Sequence, residues 1–332
     1  ATMPYLVTWK IGRDLQAELN KVYEWDMFNL EMVVDLSGGT PLSIIAMQVF
    51  RQLGLFAAFD IDFQRLSSFL VAVEGEYNPV PYHSSKHAPD VVQAVGCFLS
   101  NPSFRDIFSD LEVLGLLVAA IIHDVGHQGS SNSFEVTTRT PRALFYNDRS
   151  VWENFHIHRA FILLNEDKNN FVSCLTPSDW RIFRKCVINC VMSTDMTHHF
   201  DNLGAFKSRA ASEGFGSDEG RQALMHMVLH IADISNPARA NPTYMTWVSR
   251  VMEEFYQQGD RELAGGLSVS PFMDRRKPQL RDCQVGFLDF IVLPTYTAWA
   301  ETFPQFANTL ENARANRQAW EKEAWKLEMH TR

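Results

Sequence analysis

Residues Val113–Ile122 carry no polar side chain, and the run stops at His123-Asp124-Val125-Gly126-His127. Ten such residues are about half of what a membrane span needs. A helix apolar on all sides is instead a core helix, buried on every face. The polar groups at its end are then carried into the interior, which is costly unless they are paired or bind a metal. A chain like this must fold around that helix and find partners for His123, Asp124 and His127. It has the material to do so: 332 residues, 46% of them apolar, support a sizeable core. With 12% aromatic and 21% charged residues, disorder is excluded as the main state. A net charge of −9 argues against broad nucleic-acid binding, which needs clustered Lys and Arg.

Apolar spacings of three and four recur along the chain, as in Leu42–Phe59 and Asp179–Met192, and they predict amphipathic helices. There is no sustained period-two run, so an all-α fold is expected. Thr40-Pro41 and Thr176-Pro177 place a capping hydroxyl before a first-turn proline, a helix-start signal. Breaks are expected at residues 74–81, 138–148, 208–220 and 259–281. No linker divides the chain, which reads as one domain. The five cysteines are widely scattered and fit a reducing compartment. Cys186 and Cys190 are four apart on an expected helix, but as a metal pair they lack partners in the sequence, and packing is the expected role. Lys10, Arg13, Asp14 and Glu18 leave no room for a signal peptide near the start. A cytoplasmic location is expected, with no membrane span. Because the chain opens on Ala1, a fragment of a longer, regulated protein is also expected.

Four stretches hold the chemistry. In Tyr82-His83-Ser84-Ser85-Lys86-His87, two histidines at i and i+4 would share one helix face. His123-Asp124 can ligate one ion together, and the carboxylate can bridge to a second. Asp233, in His230-Ile231-Ala232-Asp233-Ile234-Ser235-Asn236-Pro237, is a second carboxylate at the end of an apolar helix. His226 and His230 compete with His83 and His87 by spacing, but neither has an adjacent carboxylate; His230 could support Asp233 from behind. Gln284 and Phe287 share a helix face, offering an amide edge and a phenyl face suited to a purine. Two imidazoles with two carboxylates suit Zn²⁺ with open positions for water, and a bridging carboxylate suits a second, harder ion such as Mg²⁺.

Together, Tyr82-His83-x3-His87, His123-Asp124-x2-His127, Ala232–Pro237 and Gln284-Val285-Gly286-Phe287 resemble the catalytic domain of class I 3′,5′-cyclic-nucleotide phosphodiesterases. Ser131–Phe134, Tyr146–Asp148, Ser193–Met196 and Met252–Asp260 agree, and the resemblance runs from about Tyr77 to Trp320. It implies a compact fold of about sixteen helices in three subdomains. The whole of 1–332 would be one catalytic domain, with N-terminal helices over 1–76 and the metal site and base pocket over 77–325. His87, His123, Asp124 and Asp233 resemble the zinc ligands, and Asp124 the bridge to magnesium (or manganese). His127, Glu153, Thr194 and Asp195 match positions that hold waters or ligands around the ions. His83 resembles the general acid, with Glu153 oriented toward it. Gln284 and Phe287 match the base contacts, Val251 and Phe255 the opposing wall, and Asn236 and Tyr244 neighbours that shape the pocket. The implied reaction is attack by a metal-bridging hydroxide on the cyclic phosphate, giving a 5′-monophosphate in signal transduction, with regulatory domains outside this fragment.

Some positions depart from the pattern. Gly126 stands where many members have an aspartate, and a looser turn is expected there. Phe155 replaces a histidine beside His156, and Lys86 is expected to face solvent. Two rival readings share part of the pattern. One is another His-Asp-type metal phosphohydrolase acting on nucleotides, which needs neither His83 nor the Gln284/Phe287 pair. The other is a module that senses cyclic nucleotides without turnover, which needs no metals. Whether cyclic AMP alone or also cyclic GMP is accepted depends on whether neighbours lock the Gln284 amide; Asn236 leans toward cyclic AMP.

Overall fold

The computed structural model describes residues 12–212 and 214–322. The N-terminal stretch read for a signal peptide lies mostly outside them. The described residues form eighteen α-helices and no strand, so the all-α expectation holds. The number exceeds sixteen through one-turn helices such as Leu55–Phe59, Pro102–Arg105 and Pro141–Phe145. Among the described residues no single helix is long and apolar enough to cross a membrane.

Helix Asp110–Ile122 is the axis. Ser109 caps it, its side chain accepting from the Glu112 N–H while the Glu112 carboxylate accepts from the Ser109 N–H, a reciprocal box that satisfies two end groups. Every residue from Val113 to Ile122 is buried. Helices His87–Leu99, Pro177–Met192 and Asp218–Asp233 pack around it. Gly115 allows the closest approach, since a Cβ there would stand 2.6 Å from the Cys186 Sγ. His123 ends the helix, and Gly126 turns the chain with φ +77°. A Cβ on Gly126 would meet the Phe155 ring at 2.8 Å. The glycine therefore tightens the turn and does not loosen it; its left-handed backbone and bare Cα let Phe155 close on it.

The expected starts and breaks hold in part. Thr176 caps helix Pro177–Met192 by accepting from the Asp179 N–H. Thr40 does not cap helix Pro41–Gln52. There the buried Glu74 carboxylate accepts from the Leu42 and Ser43 N–H groups at 2.8 and 3.0 Å. Gly54, with φ +74°, divides the expected Leu42–Phe59 helix into Pro41–Gln52 and Leu55–Phe59. Helix continues through Ala211 and Ala264, so the breaks expected from 208 and 259 begin later.

The largest correction concerns His83. The helix begins at His87, and His83 lies in the irregular segment before it. Pro89 explains this: in a helix its ring would clash with the carbonyl four residues earlier, at Ser85, so the helix cannot extend upstream. His83 and His87 thus do not share a helix face. Lys86 is half-exposed, 3.8 Å from Glu31.

Gly115→Ala is expected to force the two helices apart and cost about 1–3 kcal/mol. Urea unfolding would read this as a lower midpoint; an unchanged midpoint would show that the axis is not tightly packed there.

Candidate active site

Three helix ends and the segment before one of them converge. Asp233 is the last residue of helix Asp218–Asp233, and His123-Asp124 follow helix Asp110–Ile122. Both helices therefore turn their carbonyl ends, the negative ends of their dipoles, toward the same place. His87 opens helix His87–Leu99. One donor atom from each of His87, His123, Asp124 and Asp233 lies within 4.8 Å of the others. His87 Nε2 is 2.9 Å from Asp233 Oδ1 and 3.6 Å from Asp124 Oδ2. His123 Nε2 is 3.2 Å from Asp124 and 3.4 Å from Asp233.

This set fits a cation. His123 Nδ1 is 2.9 Å from the Ala120 carbonyl, which can only accept, so Nδ1 carries the proton. In the neutral ring Nε2 then presents a lone pair toward two carboxylates, and it has no hydrogen-bond partner. That arrangement is repulsive unless positive charge sits among the donors. Without a cation, charge on the imidazoles takes its place: burial opposes charge on Asp124, yet protonated His123 and His83 hold its carboxyl well below the usual range. Asp233 is held low against burial in the same way by His123 and His87. Mixed nitrogen and oxygen donors of this kind suit zinc or a harder divalent ion.

His83 stands beside the cage. Its Nδ1 bonds the Glu254 carboxylate, which also accepts from the backbone N–H groups of Tyr82 and His83 at 2.8 and 3.1 Å. Burial opposes protonation of His83, but Glu254, with Asp124, pushes it up to about 9. The sequence reading turned Glu153 toward His83; the structure does not. Glu153 instead takes the Asn132 amide at 2.9 and 3.2 Å, and burial, with Asp195 nearby, pushes it up to about 7. Glu254 was missed, although a carboxylate on the inward stripe of helix Asn241–Ala264, with Val251 and Gln258, is a readable signal.

The remaining polar positions gather nearby. His127 stacks on His83 with centroids 4.0 Å apart. Its Nδ1 accepts from the Gly129 N–H at 3.0 Å, which leaves the proton on Nε2. Thr194, Asp195, Glu153 and His127 line one cavity of about 370 Å³ with Asp124 and Asp233. His156, also on that wall, is 3.8 Å from Asp124. His230 does not reach Asp233 as a support; its Nε2 pairs with His199 Nδ1 at 2.8 Å. His226 stands apart from the cage.

A second cavity, of about 320 Å³, adjoins the first and shares His83, Met196, Asp233 and Phe255 with it. Gln284, Phe287, Val251, Asn236 and Tyr244 line it, so all six expected base-pocket residues, Phe255 included, meet in one slot. Its polar groups are fixed from behind. Trp320 Nε1 donates to the Tyr244 hydroxyl at 3.0 Å, and that hydroxyl gives its own proton to Gln284 Oε1, also at 3.0 Å. Asn236 Nδ2 donates to Asp90 at 3.0 Å, while Asn236 Oδ1 accepts from the Tyr82 hydroxyl at 2.5 Å. Arg239 holds Asp90 at 2.9 Å. A larger cavity of about 760 Å³, beside Phe161 and Trp180, contains none of the expected residues.

Comparison with known proteins agrees with this geometry. The family described as 3′,5′-cyclic nucleotide phosphodiesterase matches residues 82–313. The 3′,5′-cyclic-AMP phosphodiesterase 4C of Mus musculus is 36% identical over 314 residues, covering 92% of this chain and 46% of the relative. A probable 3′,5′-cyclic-AMP phosphodiesterase, pde-4, of Caenorhabditis elegans is 32% identical over 318 residues, covering 92% and 47%. The chain thus spans about half the length of these curated relatives. The crystal structure of the phosphodiesterase domain of the RhoPDE fusion protein from Salpingoeca rosetta superposes with a TM-score of 0.81 at 30% identity, over 86% of this chain and 92% of that one.

Asp233→Ala is expected to lower divalent-metal affinity by more than the roughly 10–100-fold that loss of an outer partner costs. Metal analysis after dialysis would read the loss; full retention would disprove the cage.

Proposed function

The chain belongs to the 3′,5′-cyclic nucleotide phosphodiesterase family, and on that premise we propose that it hydrolyses cyclic AMP to 5′-AMP. The observation that carries this reading is the junction of the two cavities, where His83 and Asp233 border both the cage and the purine-sized slot. A cyclic nucleotide with its base in the slot would carry its phosphate to the cage.

We assign His87, His123, Asp124 and Asp233 to zinc, with Asp124 also facing a magnesium or manganese ion. When bound, the ions supply positive charge for the phosphate oxygens and an activated water. The residues of the chain do the rest. His83, kept protonated by Glu254, gives its proton to the leaving O3′, which would otherwise depart as a poor alkoxide. His127, with its proton on Nε2, offers a donor toward the phosphate side. Glu153, Thr194 and Asp195 order water around the ions. Phe287 and Val251–Phe255 enclose the base from opposite faces.

The slot favours adenine. Asn236 spends its amino group on Asp90, and its carbonyl oxygen, which already accepts from the Tyr82 hydroxyl, has one further lone pair, a partner for the 6-amino group of adenine but not for the 6-oxo group of guanine. Gln284 spends its oxygen on Tyr244, which leaves the amide N–H groups for a ring nitrogen acceptor. Cyclic GMP is therefore the poorer substrate. We place the protein in the cytoplasm on its free thiols.

The direct test is product analysis with cyclic AMP, cyclic GMP and a deoxynucleoside triphosphate, with and without a chelator. Chelator-sensitive 5′-AMP formation is expected; turnover of the triphosphate alone would favour the rival His-Asp phosphohydrolase. His83→Ala should lower kcat by about 10²–10⁴-fold with metal content unchanged, and equal loss of metal would count against its assigned role. The wild-type alkaline limb of kcat/KM should lie near pH 9, where His83 deprotonates. In Glu254→Gln it should move down toward the ordinary imidazole range, since the raised value depends on that carboxylate; a limb that stays put would refute the pairing.

A further inference from the structure

Cys186 and Cys190 stand one turn apart on helix Pro177–Met192, without a third donor nearby in the sequence. The fold brings one from another helix. Cys186 Sγ lies 3.6 Å from Met225 Sδ, and the thiols of Cys186 and Cys190 interact with each other. All three residues are buried and line a cavity of about 320 Å³. His226 lines it too, but does not join the two thiols within 4.8 Å.

Clustered sulphur is often packing alone. Here, however, open volume remains beside the three sulphurs. Two sulphurs bound to one ion at about 2.3 Å in tetrahedral geometry lie about 3.8 Å apart, close to the Cys186–Met225 separation. We propose that Cys186, Cys190 and Met225 form a three-sulphur binding site for a soft monovalent cation, Cu(I). Thiolate and thioether donors select this ion over Zn²⁺ or Mg²⁺. Glu112 and Asp218, the two carboxylates that line the cavity, are both taken by Arg221, Glu112 at 2.8 Å. Binding releases the two thiol protons to solvent. The resulting pair of thiolates and one cation has a charge of −1, and Lys185 and Arg221 are the cationic side chains that line the cavity. The site is separate from the cage. Cys186 packs at Gly115, and His123 lies eight residues further along that helix, roughly 12 Å away.

The test is an anaerobic titration of zinc- and magnesium-loaded protein against the Cu(I) complex of bicinchoninate. The wild type should withdraw one equivalent, and Cys97→Ser, Cys174→Ser and Cys283→Ser should do the same. Cys186→Ser/Cys190→Ser should withdraw none, and Met225→Leu should bind about tenfold more weakly. A wild type that leaves the probe loaded, or a double variant that still withdraws a full equivalent, would overturn the site. X-ray absorption on Cu(I)-loaded wild type decides without any variant: a sulphur shell supports the assignment, and a nitrogen and oxygen shell alone refutes it.

Discussion

Two imidazoles and two carboxylates, Asp233 half-buried and the others buried, share one small space, and among the described residues no Lys or Arg enters it to neutralise them. The Asp124 and Asp233 charges meet the carbonyl ends of two helices there, so the local potential is strongly negative before any ligand arrives. In water such a group would disperse. It persists because helix Asp110–Ile122 and helix Asp218–Asp233 are pinned by apolar burial along their lengths. Hydrophobic packing thus holds together what electrostatics alone would separate, and a divalent cation turns that stored repulsion into affinity. The acidity of the whole chain is no obstacle to an anionic substrate once the positive charge is local.

Much of this was legible in the sequence, because both the core and the cage are consequences of pattern. An all-apolar run ending in His-Asp has few physical explanations, and the same logic singled out Asp233. What escaped was what depends on distant partners or on one awkward residue. The His83–His87 spacing suggested a shared helix face, but Pro89 forbids the turn that would create it. The partner of His83 was sought in Glu153, whereas Glu254 lies 171 residues away in sequence. Likewise Thr40 carries the right chemistry for a cap, yet a buried carboxylate from a later helix takes the position. The pair Cys186 and Cys190 looked solitary because Met225 becomes its neighbour only when two helices pack.

The N-terminal helices also bear on the site, although none of the chemistry lies on them. Trp25 donates to the Ala238 carbonyl at 2.9 Å, and the Arg239 guanidinium lies 4.0 Å from the centre of its ring. Arg239 in turn holds Asp90, which orients Asn236. A buried tryptophan is therefore joined to Asn236 through Arg239 and Asp90.

The Trp320–Tyr244 bond has a wider meaning. The indole that directs the Tyr244 proton belongs to the last described helix, 76 positions further along the chain, and it touches neither the cage nor the phosphate side. On the proposed reading, the proton that sets the Gln284 amide answers to a different stretch of polypeptide from the cage. The orientation of one amide in the slot is thus held by an indole on a separate helix, as much as by the residues that line the slot.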